Sequence, residues 1–150
     1  GGQSVDLAVA KGAAGCSNGD FEAVRDLKTS ALMRLSLRVG AILAATVTGE
    51  RLNAALAGPA AADWLVMTGS IGVIDARLTL RTHDDALIYM TYGGRLALGG
   101  PNALVAFSAP NFETGDERYA WLNGMQAVAK GKVAITADGA SLAYEICEVR

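Results

Sequence analysis

An all-β, antiparallel fold is the class this sequence predicts, and three observations predict it. Segments that alternate apolar and polar residues recur along most of the chain, which is the period of a half-buried strand. The turn signals TGE, THDD, YGG, LGGP, KGK and ADGA separate these segments, mostly at the spacing of about 8–12 residues expected of a sandwich or barrel. No long segment carries the 3.6-residue period of an amphipathic helix, and no internal repeat is visible.

The elements follow in order. Residues 1–28 are weakly patterned, with Gly15, Asn18, Gly19 and Asp20 close together, and read as an N-terminal arm with one short strand near Val5–Val9. Residues 29–150 read as a single β domain. LMRLSLRV (32–39) puts Met33, Leu35, Leu37 and Val39 on one face and Arg34, Ser36 and Arg38 on the other. ILAATVT (42–48) is apolar and β-branched, and GVIDARLTLRT (72–82) alternates throughout. ALIYMTY (86–92), MQAVAK (125–130), KVAITAD (132–138) and SLAYEICEV (141–149) complete the predicted strands. Asp84 and Asp85 in RTHDDAL suit a hairpin turn, where their carboxylates can bond their own backbone. Between the strands, DERYAWLN (116–123) predicts a short helical turn, with Thr114 or Asp116 as its cap and Gly124 as its stop.

Composition narrows the function. A chain of 150 residues defaults to one domain, long enough to bury about 70% of its unfolded surface without staples. Net charge is −2 and the cations are scattered, so nucleic acid is not an expected partner. No apolar run reaches the roughly 18–20 residues of a spanning helix. Aromatic residues make up 6% of the chain, too few for the two girdles of an outer-membrane barrel. The start, GGQSVDLAVAKG, lacks Met and lacks the features of a signal peptide, which fits processing or trimming and a cytoplasmic location. Cys16 and Cys147 read as idle or buried thiols. One histidine, His83, and no paired ligand spacing give no expectation of a metal, and no motif calls for an organic cofactor.

Two stretches hold the residues capable of chemistry. In NFETGDERYAWLN (111–123), Glu113 and Arg118 can face a ligand at a pocket rim, or the segment can be a plug that closes a barrel end with its rings. Along 72–82, Asp75 and Arg77 share a strand face about 6.5–7 Å apart. That face is either the wet side of a sheet or, in a closed barrel, a polar lumen. Tyr89 and Tyr144 fall in strands, where a phenol offers a packed ring plus one donor.

ADWLV (62–66), DARLTLRTHDDALIYMTYGGR (75–95), FETGDERYAWLN (112–123) and YEICEVR (144–150) together resemble the domain-of-unknown-function 3237 family, also called uncharacterised protein family 0311. The resemblance runs from about Leu32 to Arg150. It implies an antiparallel β-barrel of about eight or nine strands that is often oligomeric, and it implies no assigned chemistry. The polar positions of the family pattern correspond here to Asp75, Arg77, Tyr89, Glu113, Arg118, Tyr119, Trp121 and Asn123. Phe107 stands where the pattern usually has arginine, and the segment 96–110 is shorter than usual.

The combined expectation is a barrel that binds a small, partly apolar molecule in its lumen and performs acid–base chemistry, an isomerisation, lyase step or hydrolysis. Asp75 and Glu113 would be catalytic, with Arg77, Tyr89, Arg118, Tyr119, Trp121, Asn123 and Tyr144 holding the ligand. Two alternatives stay open: a carrier or sensor without chemistry, and a structural, homo-oligomeric barrel in which Asp75 and Arg77 are a permanent ion pair.

Overall fold

The computed structural model describes residues 32–39, 44–100, 103–136 and 139–149. The expected N-terminal arm, with its strand near Val5–Val9, lies outside the described residues. Eight strands close into an antiparallel barrel: β1 (Leu32–Val39), β2 (Ala45–Gly49), β3 (Ala54–Thr68), β4 (Ile71–Thr82), β5 (Leu87–Ala97), β6 (Val105–Glu113), β7 (Gln126–Thr136) and β8 (Gly139–Val149). Each strand pairs with its neighbour in sequence, and β1 closes the ring against β8 through eight pairs, Leu32↔Cys147 to Val39↔Ala140. Closure removes the exposed edges an open sheet would carry. A 3-10 helix (Glu117–Gly124) links β6 to β7.

Alternation decides what faces inward. In β4 the buried residues are Gly72, Ile74, Ala76, Leu78, Leu80 and Thr82, every second position. Ile88, Met90 and Tyr92 of β5 continue the same layer on the next strand. Toward the helix end the interior is mainly apolar, filled by Leu78, Leu80, Ile88, Met90, Phe112 and Leu122, with Thr82 buried among them.

The structure departs from the sequence reading at five places. Two strands were not foreseen. β3 is rich in alanine and contains Gly58 and Pro59, poor strand formers by propensity. It is held by its ladder with β4, which breaks between Leu56 and Ala61, so that Gly58 and Pro59 sit in a bulge. In β6, Pro110 lies beyond the last recorded β6–β7 pair, Ser108↔Ala129, so its missing N–H costs no bond on that side. Two expected turns are strand interior: YGG lies within β5 and KGK within a single β7 that spans both segments read as separate strands. Cys147, expected to be an idle or buried thiol, is buried but disulfide-bonded. Cys16, the chain's other cysteine, is outside the described residues.

Among the described residues, β2 and β3 pair through Thr46↔Ala55 and Val47↔Ala54 alone. Beyond that short seam, the recorded partners of β3 are all on β4. Of the positions of this half of β3 that share the inward parity, Ala61 and Asp63 are half-buried and Leu65 and Met67 are exposed.

Candidate functional site

The two ends of the barrel differ in chemistry. At the helix end a network of hydrogen bonds fastens the 3-10 helix to the β4–β5 turn. Asp116 caps the helix, accepting from the Arg118 backbone N–H at 3.0 Å. The Arg118 guanidinium donates to Asp116 Oδ2 at 2.7 Å and to Asp84 Oδ2 at 2.8 Å. Asp84 Oδ1 also accepts from the Tyr119 phenol at 2.9 Å and the Thr82 hydroxyl at 2.5 Å. Asn123 brackets the Thr114 backbone, donating to its carbonyl at 2.9 Å and accepting from its N–H at 2.8 Å. The Arg51 guanidinium stacks 3.7 Å from the centre of half-buried Trp121.

Arg118, Tyr119, Trp121 and Asn123 therefore come together, but their polar groups bond to the protein itself. The arrangement is the plug, one of the two readings the sequence left open for 111–123. Asp84, expected to close its own turn, bonds within it through the Thr82 hydroxyl and also ties that turn to the helix.

This latch predicts an acid response. The Thr82 hydrogen bond, with those of Tyr119 and the charge of Arg118, holds the Asp84 carboxyl below the usual carboxylate range, and Arg118 does the same for Asp116. A carboxyl depressed in the folded state adds stability above its unfolded value of about 3.9 and loses it as pH falls through the lower folded value. Trp121 fluorescence is expected to be flat from pH 7 to about 4 and to change below it. In Arg118→Ala the change should begin at higher pH; an identical profile would remove the latch from the account.

On the outer face, Tyr89 pairs across the strands with Thr79 and with Glu113. With Leu87, Phe112, Thr114, Gly115 and Asn123 they line an open groove of about 520 Å3. Asp75 and Arg77 are on the outer face as well, bridged at 3.2 Å, with side chains 56% and 60% exposed. This corrects the expectation that they point into a polar lumen: their parity in β4 is opposite to that of Ile74, Ala76 and Leu78, which fill the interior. Glu113 and Tyr89 likewise face outward, away from the barrel's interior.

The polar groups inside the barrel are others. Asp63 (β3), Ala76 (β4), Tyr92 (β5) and Pro110 (β6) form one row of register partners. Tyr92 meets Tyr144 of β8 edge-on, ring centres 5.4 Å apart and planes at 67°. The Tyr144 ring lies over its partner Gly131, where a Cβ would sit 2.5 Å from the ring. Ser108 of β6 is close enough to Tyr144 to act on its phenol, yet its geometry makes no hydrogen bond. The hydroxyls of Tyr92, Tyr144 and Ser108 are all buried without a hydrogen-bond partner among the described residues. Burial pushes both phenols well above their usual range, and the charge of Asp63 adds to the shift. Burial also raises the Asp63 carboxyl.

Of the expected site residues only Tyr144 belongs to this interior cluster. The sequence carried a signal for Tyr92, which shares parity with Ile88 and Met90, whereas Tyr89 does not. Among the described residues no group of three or more His, Cys, Asp or Glu side chains is placed to hold a metal ion, and no helix is long and apolar enough to cross a membrane.

Comparison with known proteins bears on the fold. A family profile described as "Protein of unknown function (DUF3237)" matches residues 26–149. No curated protein matches the chain. Among solved structures, a conserved protein of unknown function from Rhodopseudomonas palustris is similar at 21% identity and a TM-score of 0.68, covering 83% of this chain and 97% of its own. A protein with unknown function from Clostridium acetobutylicum is similar at 17% identity and 0.69, with the same coverages. A beta-barrel like protein from Acinetobacter baumannii is similar at 22% identity and 0.64, covering 83% of this chain and 95% of that one. At these identities the likeness extends to the fold.

Proposed function

The chain belongs to the DUF3237 family, whose description assigns no activity, and from that premise we propose that it binds a small, partly apolar molecule inside the barrel. One observation carries this reading: three buried hydroxyls, on Tyr92, Tyr144 and Ser108, have no hydrogen-bond partner among the described residues. Native structures pair nearly all buried polar groups, because an unmade hydrogen bond in a dry interior costs about 1–3 kcal/mol. Unpaired groups gathered in one half of a lumen are what a ligand with a polar end would satisfy. Half-buried Asp63 lies on β3 beyond the pairs that β2 and β3 make among the described residues, the side from which a ligand would enter.

The outer groove at Tyr89 and Glu113 is the competing location. Its groups face solvent, so an empty groove leaves nothing unpaired in a dry environment. Thermal-shift measurements with a panel of monocyclic phenols, ketones and lactones decide between the two. At least one compound is expected to raise the Tm of the wild type, with the rise lost in Tyr144→Phe and kept in Tyr89→Phe. The reverse pattern would move the site to the groove, and no response to any compound would sink the reading.

A further inference from the structure

We infer that the interior cluster transfers a proton next to a carbonyl, with Tyr92 and Tyr144 donating hydrogen bonds to the carbonyl oxygen of an enolisable ketone and Asp63 carrying the proton. The inference rests on the lumen being the binding site and goes beyond it in naming the reaction and substrate class.

Geometry brings the three groups to one space. Asp63 and Tyr92 are separated by the single strand that bears Ala76. Two strand spacings put their backbones about 10 Å apart. Between them Ala76, wholly buried, projects only a methyl group. Tyr144 reaches the same space from the far side of the barrel because Gly131 lets its ring lie flat on β7. Both phenol protons are uncommitted, and so is the Asp63 carboxylate, which makes no hydrogen bond or ion pair among the described residues.

The chemistry follows from these placements. The Asp63 carboxylate removes the proton from the carbon beside the carbonyl: a C–H bond breaks, an O–H bond forms, and the electron pair moves into an enolate. Negative charge then grows on the carbonyl oxygen, where two donors fixed in a dry cavity stabilise it more than they stabilise the neutral ketone. Protonated Asp63 returns the proton to the γ-carbon of the dienolate, or to the original carbon. The product is an isomer of the substrate, and no electrons leave or enter. The phenols suit the task because burial keeps them protonated at neutral pH, and the raised carboxyl of Asp63 brings its affinity for a proton nearer to that of the carbon acid.

The test uses the purified chain with β,γ-unsaturated cyclic ketones of one to three rings, followed by NMR in D2O, and 4-nitrophenol as a flat oxyanion analogue, followed by calorimetry. Wild type is expected to convert at least one ketone to its conjugated isomer and to bind 4-nitrophenol. Asp63→Asn should lose turnover by about 10²–10⁴-fold while still binding 4-nitrophenol. Tyr92→Phe and Tyr144→Phe should each lose about 10- to 1,000-fold and bind the analogue more weakly. The rate of the wild type should fall toward acid pH as Asp63 takes up its proton, and circular dichroism should show all three variants folded. Binding of 4-nitrophenol without turnover of any ketone, or turnover unchanged in Asp63→Asn, overturns the reaction and leaves the binding site standing. Failure of the wild type to bind 4-nitrophenol overturns both.

Discussion

Replacing Tyr92 and Tyr144 together by Phe is expected to make the ligand-free protein more stable, by about 2 kcal/mol, while abolishing ligand binding. Both rings are almost fully buried and pack edge-on against each other. Phe keeps that packing and removes only the oxygens. Each oxygen is a buried group with no partner among the described residues, and such a group costs about 1–3 kcal/mol. The two substitutions touch, so their effects need not add, and about 2 kcal/mol for the pair allows for this. For a chain of this length that is a rise in Tm of about 4–8 °C. Tyr119→Phe supplies the contrast. Its hydroxyl is bonded to Asp84 at 2.9 Å, so removing it should lower stability. The opposite signs separate a tyrosine kept for the fold from tyrosines kept for a ligand, a stability cost of the kind functional sites carry. A lower Tm in the double variant would show that the hydroxyls are satisfied in the free protein, and the lumen site would lose its foundation.

The legible and the illegible parts of this sequence divide along a physical line. Strands whose own residues alternate, such as 72–82 with Ile74, Ala76, Leu78 and Leu80 on one face, announce themselves because burial acts on every second side chain. The short helix was equally readable: Asp116 has the acceptor a helix start needs, and Leu122 the apolar group that docks it. β3 was not. Its residues 54–68 include six alanines, a glycine and a proline, and it exists because eleven of them find partners on β4, an interaction between segments that no local pattern reports. Asp63 was lost with it.

The inside–outside question failed for a different reason. Alternation gives two faces but not which one turns inward; the apolar face fills the lumen here, so Asp75 and Arg77 are outside. Phe107, at the position where the family pattern usually has arginine, is also outward and 39% exposed. The departure from the pattern therefore leaves the lumen untouched.

Gly93 and Gly94 were read as a turn, and the correction yields the sharpest structural prediction. Neither has the positive φ that a glycine turn would use; among the described residues the glycines with positive φ are Gly58, Gly69 and Gly100. Their absence of a side chain matters through space instead, and only at one of the two. Gly94 faces inward at the β5–β6 seam, where a Cβ would lie 2.5 Å from the Phe107 carbonyl oxygen and 2.9 Å from Ser108 Cβ. Neither atom can move by a rotamer change, so Gly94→Ala must part β5 from β6. The expected loss is about 3 kcal/mol or more, at the upper end for overpacking, or a fall in Tm of about 6–12 °C. Gly93 faces outward with its nearest neighbour at 3.8 Å. Gly93→Ala should therefore change stability by no more than about 0.5 kcal/mol. Urea unfolding of the two variants compares adjacent residues of one strand, so composition and position are matched. The comparison also tests the register itself, since a slip of one residue would exchange the roles of 93 and 94 and turn Tyr92 out of the lumen. Equal losses, or the larger loss at Gly93, would remove Tyr92 from the interior cluster and the proposed chemistry with it.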